Sequence, residues 1–344
     1  LLGRGILVPV GAHALPKGIA AKAWIVADLD SGDILAARDP HGRYQPASIL
    51  KTLTALVLLP QLPGNRMVTV TPAAAHAEGS AVGLLAGGRY SVDQLFQALF
   101  LVSGNDAAAA LAEANGGVSR TVQQMNAKAA DLGASDTVVQ TASGLDGWQQ
   151  LTSAYDLALI LRAAVNEPRL VAYDRLRSAS YPPKTSKYGH VGKYQFDNQG
   201  LSFLGSVPGA LMAKSGFTDA ARHTYLCAAK RNGHRLGIVF LRDERVPLDH
   251  WQQAAALFNW AFALPVGTKG IGAMGATPTT TGPLLTSSSA MLPPAANRTI
   301  AQPRGQRSGL HSNIVLTLIV GGVSLGCALA GGLQLLRRRQ SLLR

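Results

Sequence analysis

Three short strings, far apart along the chain, constrain its fold more than anything else in it: Ser48-Ile49-Leu50-Lys51, Ser103-Gly104-Asn105 and Lys214-Ser215-Gly216. Together they hold a hydroxyl nucleophile, two lysines, a second hydroxyl and an amide, which is the equipment of an acyl-transfer site. If they work together, the fold must gather three distant stretches into one place.

The local context of each string supports that reading. Ser48 follows Pro46-Ala47 and precedes the apolar run Leu53, Ala55, Leu56, Val57, Leu58, Leu59, the pattern of a buried helix beginning at or near the serine. On a helix, positions i and i+3 share a face, so Ser48 and Lys51 come within hydrogen-bond reach. A lysine facing a low-dielectric interior sheds its proton, and the neutral amine can then accept one from an attacking hydroxyl. A solvated helix face is the bland alternative for Ser-x-x-Lys, and the apolar neighbours argue against it. The second string lies between two helix-forming stretches, 95–102 and 106–113, so Ser103 and Asn105 fall on a tight connection. Gly104 is expected there to adopt a conformation other residues resist, although Ser and Asn also serve as ordinary helix caps. Lys214 interrupts the strand-like run 209–218, and two further strand-like runs, 224–229 and 236–241, flank the turn residues 230–234. That is the pattern of an antiparallel meander, with Lys214 on a strand rather than in a loop.

The ordered set Ser-x-x-Lys, Ser-x-Asn and Lys-Thr/Ser-Gly resembles the signature of penicillin-binding proteins and serine β-lactamases. Within that group the chain is most similar to the low-molecular-weight D-alanyl-D-alanine carboxypeptidases, through Pro46-Ala47-Ser48, Ser103-Gly104-Asn105-Asp106-Ala107-Ala108, Met125-Asn126, Leu132-Gly133, Thr141, Ser143-Gly144-Leu145 and Lys214-Ser215-Gly216-Phe217-Thr218. The likeness runs from about residue 23 to about 262. It implies a serine peptidase that trims the terminal D-alanine from peptidoglycan stem peptides and is acylated by β-lactams. Ser48 would attack, Lys51 would act as base, and Ser103 with Lys214 would pass a proton to the departing amine. Asn105, Ser215, Gly216, Phe217 and Thr218 would hold the substrate, with the oxyanion between the backbone N–H groups of Ser48 and Phe217.

Two departures from the family pattern stand out. Serine replaces the usual threonine at position 215, keeping the hydroxyl, and the arginine that helps hold the substrate carboxylate has Arg242 and Arg245 as candidates. Three competing readings are weighed against the carboxypeptidase one. A class A β-lactamase needs a glutamate to activate deacylating water, and Glu167-Pro168-Arg169-Leu170 has Val171 where that motif carries Asn. A DD-endopeptidase would use the same residues on cross-linked peptide. A catalytically silent wall-binding protein would not need Ser48, Lys51, Ser103 and Lys214 intact.

Composition sets the compartment. The net charge of +13 and pI near 10.1 could suit nucleic acid, but the basic residues are dispersed and aromatic content is only 6%, so no nucleic-acid partner is expected and anionic wall polymer or lipid fits better. No metal-ligand or redox string occurs, so no metal and no cofactor is expected. Cys227 lies in an expected core strand and Cys327 in the terminal apolar run, which makes a disulfide between them implausible. Residues 314–336 carry no charge and are long enough for a transmembrane helix. Arg337-Arg338-Arg339 follow, so the tail 337–344 is expected in the cytoplasm and the catalytic domain outside a bacterial cell membrane crossed once. The Gly, Pro, Thr and Ser content of 265–313 reads as a flexible linker spanning about 35 to 40 Å. Residues 1–22 read as an N-terminal segment in which Ala12-His13-Ala14 resembles a signal cleavage site.

The expected fold is α+β, with a catalytic domain over 23–264. An N-terminal hairpin, 23–28 and 33–37, joins the meander in one antiparallel sheet; helices cover it, including a last one over 251–262, and a mainly helical insertion over 71–170 carries Ser103.

Overall fold

The computed structural model describes residues 5–185, 191–265 and 267–275. Strands β1 (Ile6–Leu7), β2 (Ala23–Asp28) and β3 (Asp33–Arg38) open the chain. A 3-10 turn, Ala47–Leu50, leads into α1 (Lys51–Leu58). The insertion contains β4 (Met67–Thr69), α2 (Pro72–Ala75), β5 (Arg89–Ser91), α3 (Val92–Leu101), α4 (Asn105–Ala114), α5 (Val118–Asp131) and α6 (Ala154–Ala164). After α7 (Pro168–Asp174) come a hairpin, β6 (Ser178–Thr185) and β7 (Val191–Asp197), and α8 (Leu201–Ser206). The meander β8 (Ala210–Thr218), β9 (Arg222–Arg231) and β10 (His234–Asp243), α9 (His250–Phe262) and β11 (Gly272–Ala273) complete it.

The main sheet runs β1-β3-β2-β10-β9-β8, with β11 also on β3, and every pairing is antiparallel. Local chemistry sets its turns. Asn232 and Gly233 both have positive φ, 49° and 87°, and form the two-residue connection that matches strand twist between β9 and β10. Because side chains alternate along a strand, the sheet buries both faces. Ile25 of β2, Leu226 of β9 and Val239 of β10 enter the core shared with the helical insertion, while Trp24, Cys227 and Phe240 enter the core shared with α8 and α9. β8 is left at one edge, beside the insertion.

The α+β arrangement, the hairpin, the meander and the last helix follow the sequence pattern closely; the differences lie at the ends and at one glycine. The sequence pattern sets residues 1–22 apart as an N-terminal segment. Instead β1 pairs with β3, Trp260 Nε1 donates to His13 O at 3.0 Å, and Ala21 is buried. The linker assigned from 265 onward also begins too early, since Gly272 pairs with Ile34 and Met274 is buried. Two-residue strands carry too little periodicity to be read from sequence. At the second string it is Ser103, not Gly104, that takes the left-handed conformation, with φ +59°. Gly104 is required by space: a Cβ there would meet Asp106 Oδ1 at 2.8 Å. The apolar run 314–336 lies outside the described residues, as does the tail 337–344; among the described residues no helix is long and apolar enough to cross a membrane.

Candidate active site

The three strings converge. The turn at Ala47–Leu50 is wedged against β8, and Gly216 makes the close approach possible, since a Cβ there would lie 2.7 Å from Ser48 N and 2.6 Å from Thr224 Oγ1. Thr224 Oγ1 donates to Pro46 O at 2.8 Å and pins the turn to β9. Ala47 has φ +50°, a strained value for a residue with a side chain, immediately before the serine. Gly144 closes the other side, where a Cβ would stand 2.0 Å from Ala47 O.

Lys51 is fully buried and has three neighbours: its Nζ lies 2.8 Å from Ser48 Oγ, 2.6 Å from Asn105 Oδ1 and 2.7 Å from Ser143 O. The last two are carbonyl oxygens that can only accept, so they consume two N–H bonds. A neutral amine has two N–H bonds and one lone pair, which leaves the lone pair for the serine hydroxyl. Burial first, and the nearby charge of Lys214 second, push the Lys51 ammonium well below its ordinary pKa, against an opposing pull from Asp106.

Lys214 Nζ donates to Ser103 Oγ at 2.9 Å and to Ser215 O at 2.9 Å. Burial lowers its pKa to about 8, with Asp174 acting in the opposite sense. Asn105 reaches across the site, its Nδ2 donating to Glu78 O at 2.6 Å while its Oδ1 holds Lys51. Asp106, next in sequence, accepts from the backbone N–H groups of Val82, Gly83 and Leu84 and so ties down the loop that carries Ser80.

These elements enclose a cleft of about 250 Å³ lined by Ser48, Ser80, Ser103, Ser215, Gly216 and Phe217, together with Gln199, His223, Arg245 and His250. Phe217 is half exposed, and its ring packs on His223 with centroids 4.7 Å apart. Thr218 sits on the rim, its Oγ1 donating to Asp146 Oδ1 at 2.6 Å and accepting from Ala221 N at 3.0 Å. Of the two candidate arginines, Arg245 lines the cleft, paired with Asp249, and Arg242 does not. Glu167 caps α7, its carboxylate accepting from Arg169 N at 3.2 Å, and does not line the cleft; the one feature that suggested a class A β-lactamase has a structural role.

The family model for D-alanyl-D-alanine carboxypeptidases of the peptidase S11 family matches residues 10–245. The chain belongs to that family. Peptidase S11 enzymes are serine hydrolases that work through an acyl-enzyme, in keeping with a hydroxyl and a buried amine in contact. The chain is 44% identical over 261 residues to the D-alanyl-D-alanine carboxypeptidase DacB2 of Mycobacterium tuberculosis, covering 74% of this chain and 87% of that one. A crystal structure of a D-alanyl-D-alanine carboxypeptidase from the same organism superposes with a TM-score of 0.71 at 42% identity, over 78% of this chain and 99% of that one. A mutant of the Streptomyces K15 DD-transpeptidase superposes with a TM-score of 0.65 at 25% identity, over 72% of this chain and all of that one.

Several residues in and around this site carry little signal of their own in the sequence. Ser143 contributes its carbonyl rather than its side chain, and a backbone atom leaves no mark on residue type. Asp106 was visible only as part of a family string. His223, His250 and Asp174 come from elements that carry no motif, and only the folded chain brings them near the three strings.

Proposed function

We propose that this chain hydrolyses the terminal peptide bond of stem peptides ending in D-Ala-D-Ala, with Ser48 as nucleophile and Lys51 as base. The observation that carries the proposal is the Lys51 amine, 2.8 Å from Ser48 Oγ with both of its N–H bonds taken by carbonyl oxygens. Ser48 Oγ attacks the carbonyl carbon between the two D-alanines and passes its proton to Lys51, while the oxyanion settles between the N–H groups of Ser48 and Phe217. The C–N bond then breaks as Ser103, held by Lys214, gives its proton to the departing D-alanine amine and takes up the one that Lys51 received, which leaves Lys51 neutral again. Water attacks the Ser48 ester, and Lys51 takes its proton and returns it to Ser48 Oγ as the acyl group leaves. Asn105 orients the acyl part of the peptide. Lys214, Ser215 and Arg245 gather the terminal carboxylate, with Gly216 permitting close approach. Thr218 joins them by exchanging Asp146 for that carboxylate. β-Lactams acylate the same serine.

Incubation with a pentapeptide ending in D-Ala-D-Ala is expected to yield free D-alanine and the tetrapeptide. The likeness to a DD-transpeptidase makes the choice of acceptor part of the test. With excess D-amino acid present, hydrolysed tetrapeptide should still dominate the mass spectrum; predominant exchange or cross-linked product would replace the carboxypeptidase reading with a transpeptidase one, and cleavage restricted to cross-linked dimers would replace it with an endopeptidase one.

We further propose that the domain stands outside a bacterial cell membrane, tethered by 314–336 as a single transmembrane helix. The support is the absence of charge across that run and the three arginines after it. A chain ending after residue 275 is expected to leave the membrane fraction and keep its penicillin-acylating activity. Continued partition of that shortened chain into membranes would show that another surface binds lipid.

A further inference from the structure

Two buried lysines stand behind the cleft, one bonded to Ser48 and one to Ser103, and the proposed chemistry needs them in opposite states. Lys51 has to be neutral to receive a proton, and Lys214 has to be charged to meet a carboxylate. Burial does not distinguish them, for Lys51 is 0% and Lys214 2% exposed. What differs is the ground each stands on.

β8 is an edge strand, so its outward amides have no neighbouring strand to pair with. The C-terminal end of α7 covers part of that edge. Asp174 Oδ2 accepts from Ala213 N, the amide of the residue before Lys214, at 2.7 Å, and Arg175 Nη1 donates to Ala210 O at 3.3 Å. The Asp174 main-chain carbonyl is itself held by Asn198 Nδ2 at 2.5 Å. Asp174 is 1% exposed, and its second oxygen, Oδ1, is buried with no hydrogen-bond partner. Covering one amide does not require a carboxylate: an asparagine or serine would accept the same bond without the cost of a buried charge. For Lys51 the opposing pull of a carboxylate, Asp106, is outweighed by burial and by the charge of Lys214. The polar neighbours of Lys51 are uncharged, and Asp106 is engaged by three loop amides.

We propose that Asp174 is a positioning residue for Lys214: its carboxylate, fixed to the amide before Lys214 at the covered edge of β8, keeps the proton on Lys214 and thereby leaves Lys51 as the amine that gives its proton up. The inference deepens the proposed function and rests on the roles assigned there to Lys51 and Lys214. The electrostatics agree in sign. Burial draws Lys214 down to about 8 and Asp174 opposes it, while the Lys214 charge helps depress Lys51. Burial raises Asp174 to about 7, with the Ala213 amide, Lys214 and Arg175 lowering it in turn. The other titratable groups around Asp174 are Tyr225 and Cys227 on β9, both raised well above their ordinary values and so uncharged at neutral pH. Removing the carboxylate removes what holds Lys214 up, so Lys214 loses its proton at lower pH.

The test is the rate of Ser48 acylation by penicillin, followed by intact mass between about pH 5 and pH 10 on the full chain. Asp174→Asn keeps an acceptor for Ala213 N and should bring the alkaline limb down by about one pH unit, a roughly tenfold slower reaction at fixed pH on that limb. Asp174→Glu, which keeps the charge, should leave the limb near the parent position. A purely structural residue would change thermal stability and not the limb, so an Asp174→Asn profile that superimposes on the parent overturns the proposal. Lys214→Ala separates the two levels of inference: if it acylates normally, the role given to Lys214 fails and this inference falls with it; if it loses acylation while the Asp174→Asn profile is unmoved, only Asp174 is misassigned. Should Asp174→Asn not fold, Asp174→Ser is read in the same way, and if neither folds the residue is structural and the proposal falls.

Discussion

Replacing Ser48 with alanine is expected to abolish the covalent penicillin adduct and to cut D-alanine release by on the order of 10⁴- to 10⁶-fold, the scale of loss when an activated nucleophile is removed. The fold should survive the change. Ser48 Oγ contacts Lys51 alone among the hydrogen bonds of the described residues, and Lys51 keeps Asn105 Oδ1 and Ser143 O. Intact-mass measurement reads the result directly: one adduct on the parent chain, none on Ser48→Ala. A persistent adduct in the variant would assign the nucleophile to another residue, with Ser80, Ser103 and Ser215 the other serine hydroxyls lining the cleft.

Lys51→Met should slow acylation by about 10²- to 10⁴-fold, the usual worth of a positioned general base. Its effect on stability has two opposing parts. The folded chain holds Lys51 well below its ordinary pKa, whereas the unfolded chain binds a proton there at neutral pH. Protons are therefore released on folding, stability rises with pH toward the unfolded lysine value, and at pH 7 burial of this amine is a cost that methionine removes. Against that, two buried carbonyl oxygens lose their donor, at about 1 to 3 kcal/mol each. The two contributions oppose each other, so the melting temperature should move little beside the collapse of acylation. Acylation of the parent should in turn fail as pH drops through the folded pKa of Lys51, when the lone pair is filled. A variant that acylates at the parent rate would remove Lys51 from the chemistry, and one that melts far lower would make it chiefly structural.

The parts of the molecule legible in the sequence were those whose information is local. A two-residue period with Asn232-Gly233 at its turn announces β9 and β10, and an apolar run after Ser48 announces α1. Lys214 could be placed on β8 because an isolated cation in an apolar run is itself a signal. The parts that stayed hidden depend on contacts between distant segments. Nothing near Asp174 in the sequence says that α7 will end against the amide of Ala213. Nothing near Gly272 says that it will return to Ile34. Arg242 and Arg245 could not be separated either, since only the packing of α9 beside β10 decides which of them faces the cleft.

The two cores on opposite faces of the sheet have a consequence for how the site comes into being. Ser48, Lys51 and Ser103 belong to the layer packed against one face, Lys214 belongs to an edge strand that needs both faces covered, and the three stretches that carry them are distant in sequence. Contacts of such long range close late in folding, because the loop entropy has to be lost before they give anything back. A partly folded chain that has lost either layer retains secondary structure but no assembled cleft. Covalent labelling with a fluorescent penicillin would therefore count only molecules in which both layers have docked. Used during refolding or thermal challenge, it would report the population of completed molecules while circular dichroism reports the helices and strands, and the lag between the two signals would measure how far assembly of the layers trails their formation.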